Sequence, residues 1–464
     1  MTASTLPPAP PATARVPLWR RGVLGNPGYP RYVIAMMQGA TGWWISRIAQ
    51  DWLLLELTGD LTAMGLATSL QFLPLLVFGL YGGVLADKFN VRTLLVLSQV
   101  GMVAVSATLA VLAISGTILP WHIFVAAGLT GMMQVIEQPA RASTIAQLAG
   151  PHIGQALSLN SIAFQLAGFW GPGLSAAVVA SLGPGWAFAA NGLGCAITIA
   201  LLWRIPTKDP EPTAARTVSL RRGLASMRDT TEIGWTMVLA AILALLALNM
   251  PLIYADMANR QFGTGVEGYS LFNSVGAVGC IVGALVSARV STKPRLRWLT
   301  ALLAALAVIL LAASMSPGWM VFAAMVAALS AVSLTFQLLS NALVQLAVDP
   351  EARGRVMGLY TLIVFGGMSL AGPLVGAVVQ RIGGRDTLVI IGGLLLIMTM
   401  VTAMLIARFA GQRLTLSRQG VTISEPAVPR HVRLAEHALS DAERARARAE
   451  ESLQRAERFQ AETD

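Results

Sequence analysis

Gly82-Gly83-Val84-Leu85-Ala86-Asp87-Lys88-Phe89-Asn90-Val91-Arg92 sets one carboxylate and two cations between two long apolar runs. An apolar helix needs about 20 residues to cross a bilayer. The runs on either side, 61–86 and 93–114, reach that length. Two spanning helices joined by so short a polar link form a hairpin with Asp87, Lys88 and Arg92 at its tip. Asn90 is read as a turn residue in left-handed backbone, which asparagine tolerates next best after glycine.

The whole chain has the same character. It has 464 residues, of which 55% are hydrophobic and 12% charged. Soluble domains carry roughly 25% charged residues, so a polytopic membrane protein is expected. The net charge of +10 sits mostly between apolar runs, which favours membrane topology over nucleic-acid binding. Cys195 and Cys280 lie inside apolar runs, far apart, as packing residues. His122, His152, His431 and His437 have no metal-ligand spacing, and no G-x-x-x-x-G-K-[ST] phosphate loop is present. No metal, cofactor or enzymatic activity is expected. The first thirty residues are Pro-rich with no apolar core of a leader, so no cleaved signal peptide is expected.

By the spanning criterion, further runs fall at 32–57, 121–145, 156–181 and 184–205. After a polar interval come 233–257, 268–290, 297–316, 319–347, 356–380 and 386–408. The expected fold is all-α, with twelve transmembrane helices in two six-helix bundles, 31–205 and 233–408. An extension, 1–30, precedes them, a connector, 206–232, joins them, and a charged tail, 409–464, follows. Residues 217–230 have the pattern of an amphipathic surface helix, and the Ala/Arg/Glu stretch beyond 430 that of a solvated helix. Arginines and lysines cluster before span 1 and after spans 2, 6, 8, 10 and 12, which puts both termini in the cytoplasm. Gly171-Pro172 recurs as Gly372-Pro373, 201 residues later, and Gly83 has a worn counterpart in Gly283. Parallel repeats of this kind mark a two-bundle transporter with its site between the bundles.

The hairpin, with Gly83, Leu85, Ala86, Asp87, Lys88 and Arg92, resembles the loop between helices 2 and 3 of the major facilitator superfamily. Trp52-Leu53-Leu54-Leu55-Glu56-Leu57-Thr58-Gly59, Pro139-Ala140-Arg141 and Gly354-Arg355-Val356-Met357-Gly358-Leu359-Tyr360 look like its enterobactin-exporter-like and macrolide-efflux-like branch. The resemblance covers residues 30–408. It implies a bacterial inner-membrane, multi-pass exporter driven by the proton gradient and working by alternating access. The cargo class is a siderophore or drug-like amphipathic molecule, the partners are cargo, protons and lipid, and a monomer is expected. The alternatives are the same fold importing or flipping a lipid-like or nutrient molecule, or a non-transporting sensor or assembly factor. The branch often has Gly-Asp early in span 1 and an arginine before the Gly-Pro of span 5; here those places hold Gly42-Trp43 and Gly168.

An ionisable side chain inside a bilayer costs about 2.5–3.5 kcal/mol on insertion scales, so each needs a reason. Arg47 and Asp51 are four apart on span 1 and share a helix face. They are proton-coupling candidates, or else a pair that only neutralises itself. Asp51 is preferred over Glu56, which is expected at the hydrated outer rim. Glu137 and Arg141 repeat the spacing on span 4; with Gly83, Asp87, Lys88 and Arg92 they are candidates for a gate, and Glu137 also for coupling. Cavity candidates are Gln38, Trp43, Gln134, Asn160, Gln165, Asn249, Asn273, Gln337 and Asn341, each also suited to an interhelical hydrogen bond. Gly168, Gly171, Pro172, Gly372 and Pro373 are read as helix-packing positions, and Asp256 as interfacial.

Overall fold

The computed structural model describes residues 22–26, 28–205, 231–290, 295–348, 353–409, 413–417 and 420–424. The expected surface helix at 217–230 and the tail beyond 430 lie outside these residues. The first six helices are α1 Gly28–Thr58, α2 Leu61–Lys88, α3 Val91–Ile114, α4 Pro120–Ala149, α5 Ile153–Leu182 and α6 Pro184–Leu202. After the connector come α7 Thr231–Ala247, α8 Met250–Asp256, α9 Gly265–Val290, α10 Leu296–Ser314, α11 Trp319–Ala347, α12 Arg353–Ile382 and α13 Gly384–Phe409. Helices α7 and α8 together make the seventh span, so the spans number twelve among the described residues. Ten stretches are long and apolar enough to cross a membrane; α4 and α5 fall in one of them, and α1 is not among them. The polar Arg47, Gln50 and Asp51 in its midst explain why.

Local chemistry sets the turns. Gly59, at φ 63°, takes the left-handed conformation that ends α1, and the Asp60 side chain caps α2 by accepting from the Thr62 amide at 2.8 Å. Only Phe89 and Asn90 separate α2 from α3. Asn90 is not left-handed as its sequence suggested: its φ is −58°, and its side-chain oxygen accepts from the Arg92 amide at 2.9 Å. Capping the next helix, and not a backbone preference, accounts for it.

Helix α1 packs on α5 and α6, α2 on α4, and α3 on α4 and α6; in the second half α9 packs on α11, and α7 on α10, α11 and α12. The halves meet along α2–α12 and α5–α9. At the first seam a Cβ on Gly65 would collide with the Gly372 carbonyl, so the two backbones touch because both residues lack one. The packing also corrects the repeat. Gly82, not Gly83, is the counterpart of Gly283: Gly82 lies against the Val135 carbonyl of α4, and Gly283 against the Ala331 carbonyl of α11. Gly83 meets nothing within 4 Å of its would-be Cβ. The corrected offset, 201 residues, equals that of the Gly-Pro pair.

Two short strands, β1 Arg413–Ser417 and β2 Gly420–Ser424, pair antiparallel from Arg413↔Ser424 to Ser417↔Gly420. The sequence reading overlooked them, although Leu414, Leu416, Val421 and Ile423 alternate with polar residues at the two-residue period of a strand.

Candidate functional site at the bundle interface

The charged pair of α1 is the centre of the site. Arg47 Nε lies 2.8 Å from Asp51 Oδ2. Arg47 also donates to Thr68 Oγ1 at 2.8 Å and to Gln71 Oε1, both on α2. From the other half, the Tyr269 hydroxyl of α9 donates to the same Asp51 Oδ2 at 2.9 Å. Trp52, the neighbour of Asp51, stacks on Tyr269 with centroids 6.3 Å apart. Asp51 is 1% exposed, and its Oδ1 has no hydrogen-bond partner among the described residues. The pair therefore does more than neutralise itself: its carboxylate bonds both bundles at once, and one of its oxygens stays uncommitted.

The break in the seventh span lies beside it. Pro251 has no amide to donate, and the helix is interrupted at Leu248 and Asn249. Asn249 Nδ2 donates to the Met368 carbonyl of α12 at 3.1 Å. On one side of the break is a void of about 10 Å³ bordered by Arg47, Asp51, Asn249 and Pro251, room for about one water. On the other side is a cavity of about 190 Å³, also bordered by Pro251. Its polar lining includes Trp44, Gln165, Tyr254, Asn273, Cys280 and Gln337, and among the described residues no Asp, Glu, Lys, Arg or His. Asn273 on this wall donates to the Tyr269 carbonyl at 2.8 Å, one turn back along α9. The broken span and α9 thus both run from the cavity to the ion pair.

A clasp closes the end of the bundles that carries Gly59. Gln380 at the end of α12 accepts from the Leu61 amide at 3.2 Å and donates to the Gly59 carbonyl at 3.1 Å. Arg260 donates to the same Gln380 oxygen at 3.0 Å from a π-helical turn, Met257–Gln261, that follows α8. Asp256, read as interfacial from its place at the end of the seventh span, is buried within the protein. Its Oδ2 accepts from the Gly384 amide at the start of α13 at 2.6 Å, and its Oδ1 lies 3.5 Å from Arg260. A free amide at a helix start draws a carboxylate inward.

Of the cavity candidates, Gln165, Asn273 and Gln337 lie on the wall of the larger cavity and Asn249 on that of the smaller. Trp43 packs edge-on against Trp44, and it is Trp44 that faces the cavity. Gln38 lies against Gly194 of α6, and Asn341 accepts from Gln345 at 2.5 Å. Gln134 and Asn160 are half-buried and border neither cavity. Gly168 faces Trp44 and Ala277, and Gly171-Pro172 packs on α1 as Gly372-Pro373 packs on α2. Glu137 and Arg141 form an ion pair at 3.6 Å, and the Tyr32 hydroxyl donates to the Arg141 carbonyl at 3.4 Å. Among the described residues, no ion pair joins Glu137 or Arg141 to Lys88 or Arg92. Lys88 is exposed, and Arg92 reaches the Trp203 and Ile205 carbonyls at 3.5 and 3.3 Å. The side chain of Asp87 lies outside the described set. Glu56 is exposed as expected, and accepts from Trp52 Nε1 at 2.6 Å.

Tyr269, Gln71, Thr68 and Gln380 were missed in the sequence, whereas Trp44 was read there, with Trp43 and Trp170, as a candidate aromatic wall for cargo. The one signal for Tyr269 was a hydroxyl in an apolar run; its partner is 218 residues away.

The sequence profile described as Major Facilitator Superfamily matches residues 32–373. The chain is 23% identical over 256 residues to the Staphyloferrin A transporter of Staphylococcus aureus, covering 54% of this chain and 64% of that one. It is 24% identical over 226 residues to the uncharacterized MFS-type transporter YfiS of Bacillus subtilis, covering 47% and 53%. The matches thus span less than two thirds of these relatives. Among solved structures, the nucleoside transporter NupG is similar with a TM-score of 0.65 at 13% identity, over 82% of this chain and 99% of that one, a likeness of fold.

Proposed function

The chain belongs to the Major Facilitator Superfamily, and on that premise we propose that it is a proton-driven exporter of a siderophore or drug-like amphipathic molecule across the bacterial inner membrane. The observation that carries this reading is the single carboxylate, Asp51, bonded at once to Arg47 of its own bundle and to Tyr269 of the other. Ionised, Asp51 ties the halves together while the Gly59 end is clasped. A proton on Asp51 removes the charge that holds Arg47 and weakens the acceptor that holds Tyr269. Cargo beside Asn273 pulls on the same α9 segment from the cavity side. Empty and ionised, the protein is locked; either a proton or cargo releases it. Two ligands that each unlock a common transition, at different times, give exchange of one for the other.

Charge placement orients the chain in the membrane. The positive-inside pattern puts the Lys88 end in the cytoplasm and the clasped Gly59 end outside. The Staphyloferrin A transporter among the relatives supports a siderophore-class cargo. Proteoliposomes under an imposed proton gradient, given a panel of siderophores and amphipathic drugs, test the reading. Wild type is expected to exchange protons for a member of the panel, and Asp51→Asn to insert normally and lose the proton-coupled exchange. Full activity in Asp51→Asn would remove Asp51 as the coupling acid.

A further inference from the structure

We propose that the 190 Å³ cavity selects an uncharged part of its cargo, one that presents two hydrogen-bond acceptors to Trp44 and Gln165. This rests on the transporter reading above and adds the chemical class of the cargo.

Two observations carry it. The first is the wall itself, which among the described residues has no side chain of Asp, Glu, Lys, Arg or His. Arg47, which borders the void across the broken span, is already committed to Asp51, Thr68 and Gln71. An ionic group entering this space finds no counter-charge, and burying an unpaired charge is strongly unfavourable. The second is a pair of unmet donors. Trp44 Nε1 and Gln165 Nε2 are buried on this wall with no nitrogen or oxygen acceptor among the described residues, the Gln165 amide meeting only the Cys280 thiol, a weak acceptor. A buried donor left unpaired costs about 1–3 kcal/mol, which a ligand acceptor recovers.

The donors share one stretch of wall: Trp44 Nε1 lies over Gly168, and Gln165 is three residues earlier on the same α5. A cargo with two carbonyl, ester or ether oxygens on an aromatic or aliphatic frame satisfies both. The aliphatic remainder of the wall takes the frame. Charge is handled elsewhere, at Asp51 across the broken span.

Cys280 on the same wall is a native reporter. In a Cys195→Ser background, the full-length protein in detergent is labelled at Cys280 with N-ethylmaleimide. Labelling is timed in the presence of three matched probes: the methyl ester of benzoylbenzoate, the benzoylbenzoate anion, and the benzoylbenzyl-trimethylammonium cation. The uncharged ester is expected to slow labelling, and the two ions to have little effect at equal concentration. Trp44→Phe, which keeps an aromatic ring, and Gln165→Met, which keeps the length, each remove a donor and are expected to weaken protection by roughly threefold to tenfold. Gln165→Glu is expected to move the preference to the cation. Protection by either ion equal to that of the ester, no protection by the ester, or no effect of either donor variant overturns the proposal. The assay needs no gradient, so these outcomes are independent of whether Asp51 couples protons. A protein that binds the ester and exchanges no protons would instead count against the exporter reading alone.

Discussion

Asp51 is the residue held by both halves of the molecule. A buried carboxylate with a cation from its own helix and a hydroxyl from the opposite bundle cannot keep both partners if the bundles separate. Charged hydrogen bonds are worth about 1.5–3 kcal/mol, so the Tyr269 contact alone biases the closed Gly59 end by roughly tenfold to a hundredfold. Tyr269→Phe removes that bond and keeps the stack on Trp52. Spin labels placed on the two bundles at the Gly59 end are expected to report a matching shift toward longer separations. An unchanged distance distribution would mean that the Tyr269–Asp51 bond does not hold the end shut. At this scale the sequence was half legible. Arg47 and Asp51 announced themselves by their cost in an apolar helix and their four-residue spacing. Tyr269, Thr68 and Gln71 did not, because neutral polar residues are common in membrane helices and nothing local distinguishes those aimed at a charge.

Among the elements, glycine decides which backbones touch. Helix α2 uses Gly82 toward α4 and Gly65 toward α12, and a side chain at either place meets a carbonyl oxygen. Gly82→Ala is expected to cost about 1–3 kcal/mol by overpacking and to lower the thermal midpoint of the purified protein. Gly83→Ala, with open space around it, is expected to leave the midpoint unchanged or to raise it, by up to about 1 kcal/mol of helix propensity. The opposite order would restore Gly83 as the packing residue. The adjacent glycines are indistinguishable in the chain, and only the rotation of α2 against α4 separates them. The seventh span teaches the same lesson. Its composition gives one continuous apolar run, whereas Pro251, the Asn249 bond to α12 and the π-helical turn divide it into pieces that separate the cavity from the ion pair.

For the molecule as a whole, the clasp at Gln380 joins three segments that the sequence keeps far apart: Gly59 to Leu61, the turn with Arg260, and the end of α12. Its bonds are partly exposed, each worth about 1 kcal/mol or less, so it is a latch that thermal motion can open. Gln380→Ala is expected to speed hydrogen exchange at the Leu61 amide severalfold and to raise labelling of a cysteine introduced at Thr62 from the outer side. Unaltered exchange would leave Asp51 and Tyr269 as the closure on their own.

The sequence by itself determined that this chain spans a membrane in two sets of six helices, because burying unpaired backbone and charge in lipid costs so much that apolar length dictates topology. It determined the superfamily through the Asp87–Arg92 hairpin, and it singled out Arg47 and Asp51. Tertiary structure alone decided what that pair touches, which glycine of each tandem pair faces its neighbour, and that the larger cavity has a charge-free wall. Those depend on contacts between residues hundreds of positions apart, and helix rotations of a few tens of degrees exchange one lining side chain for the next.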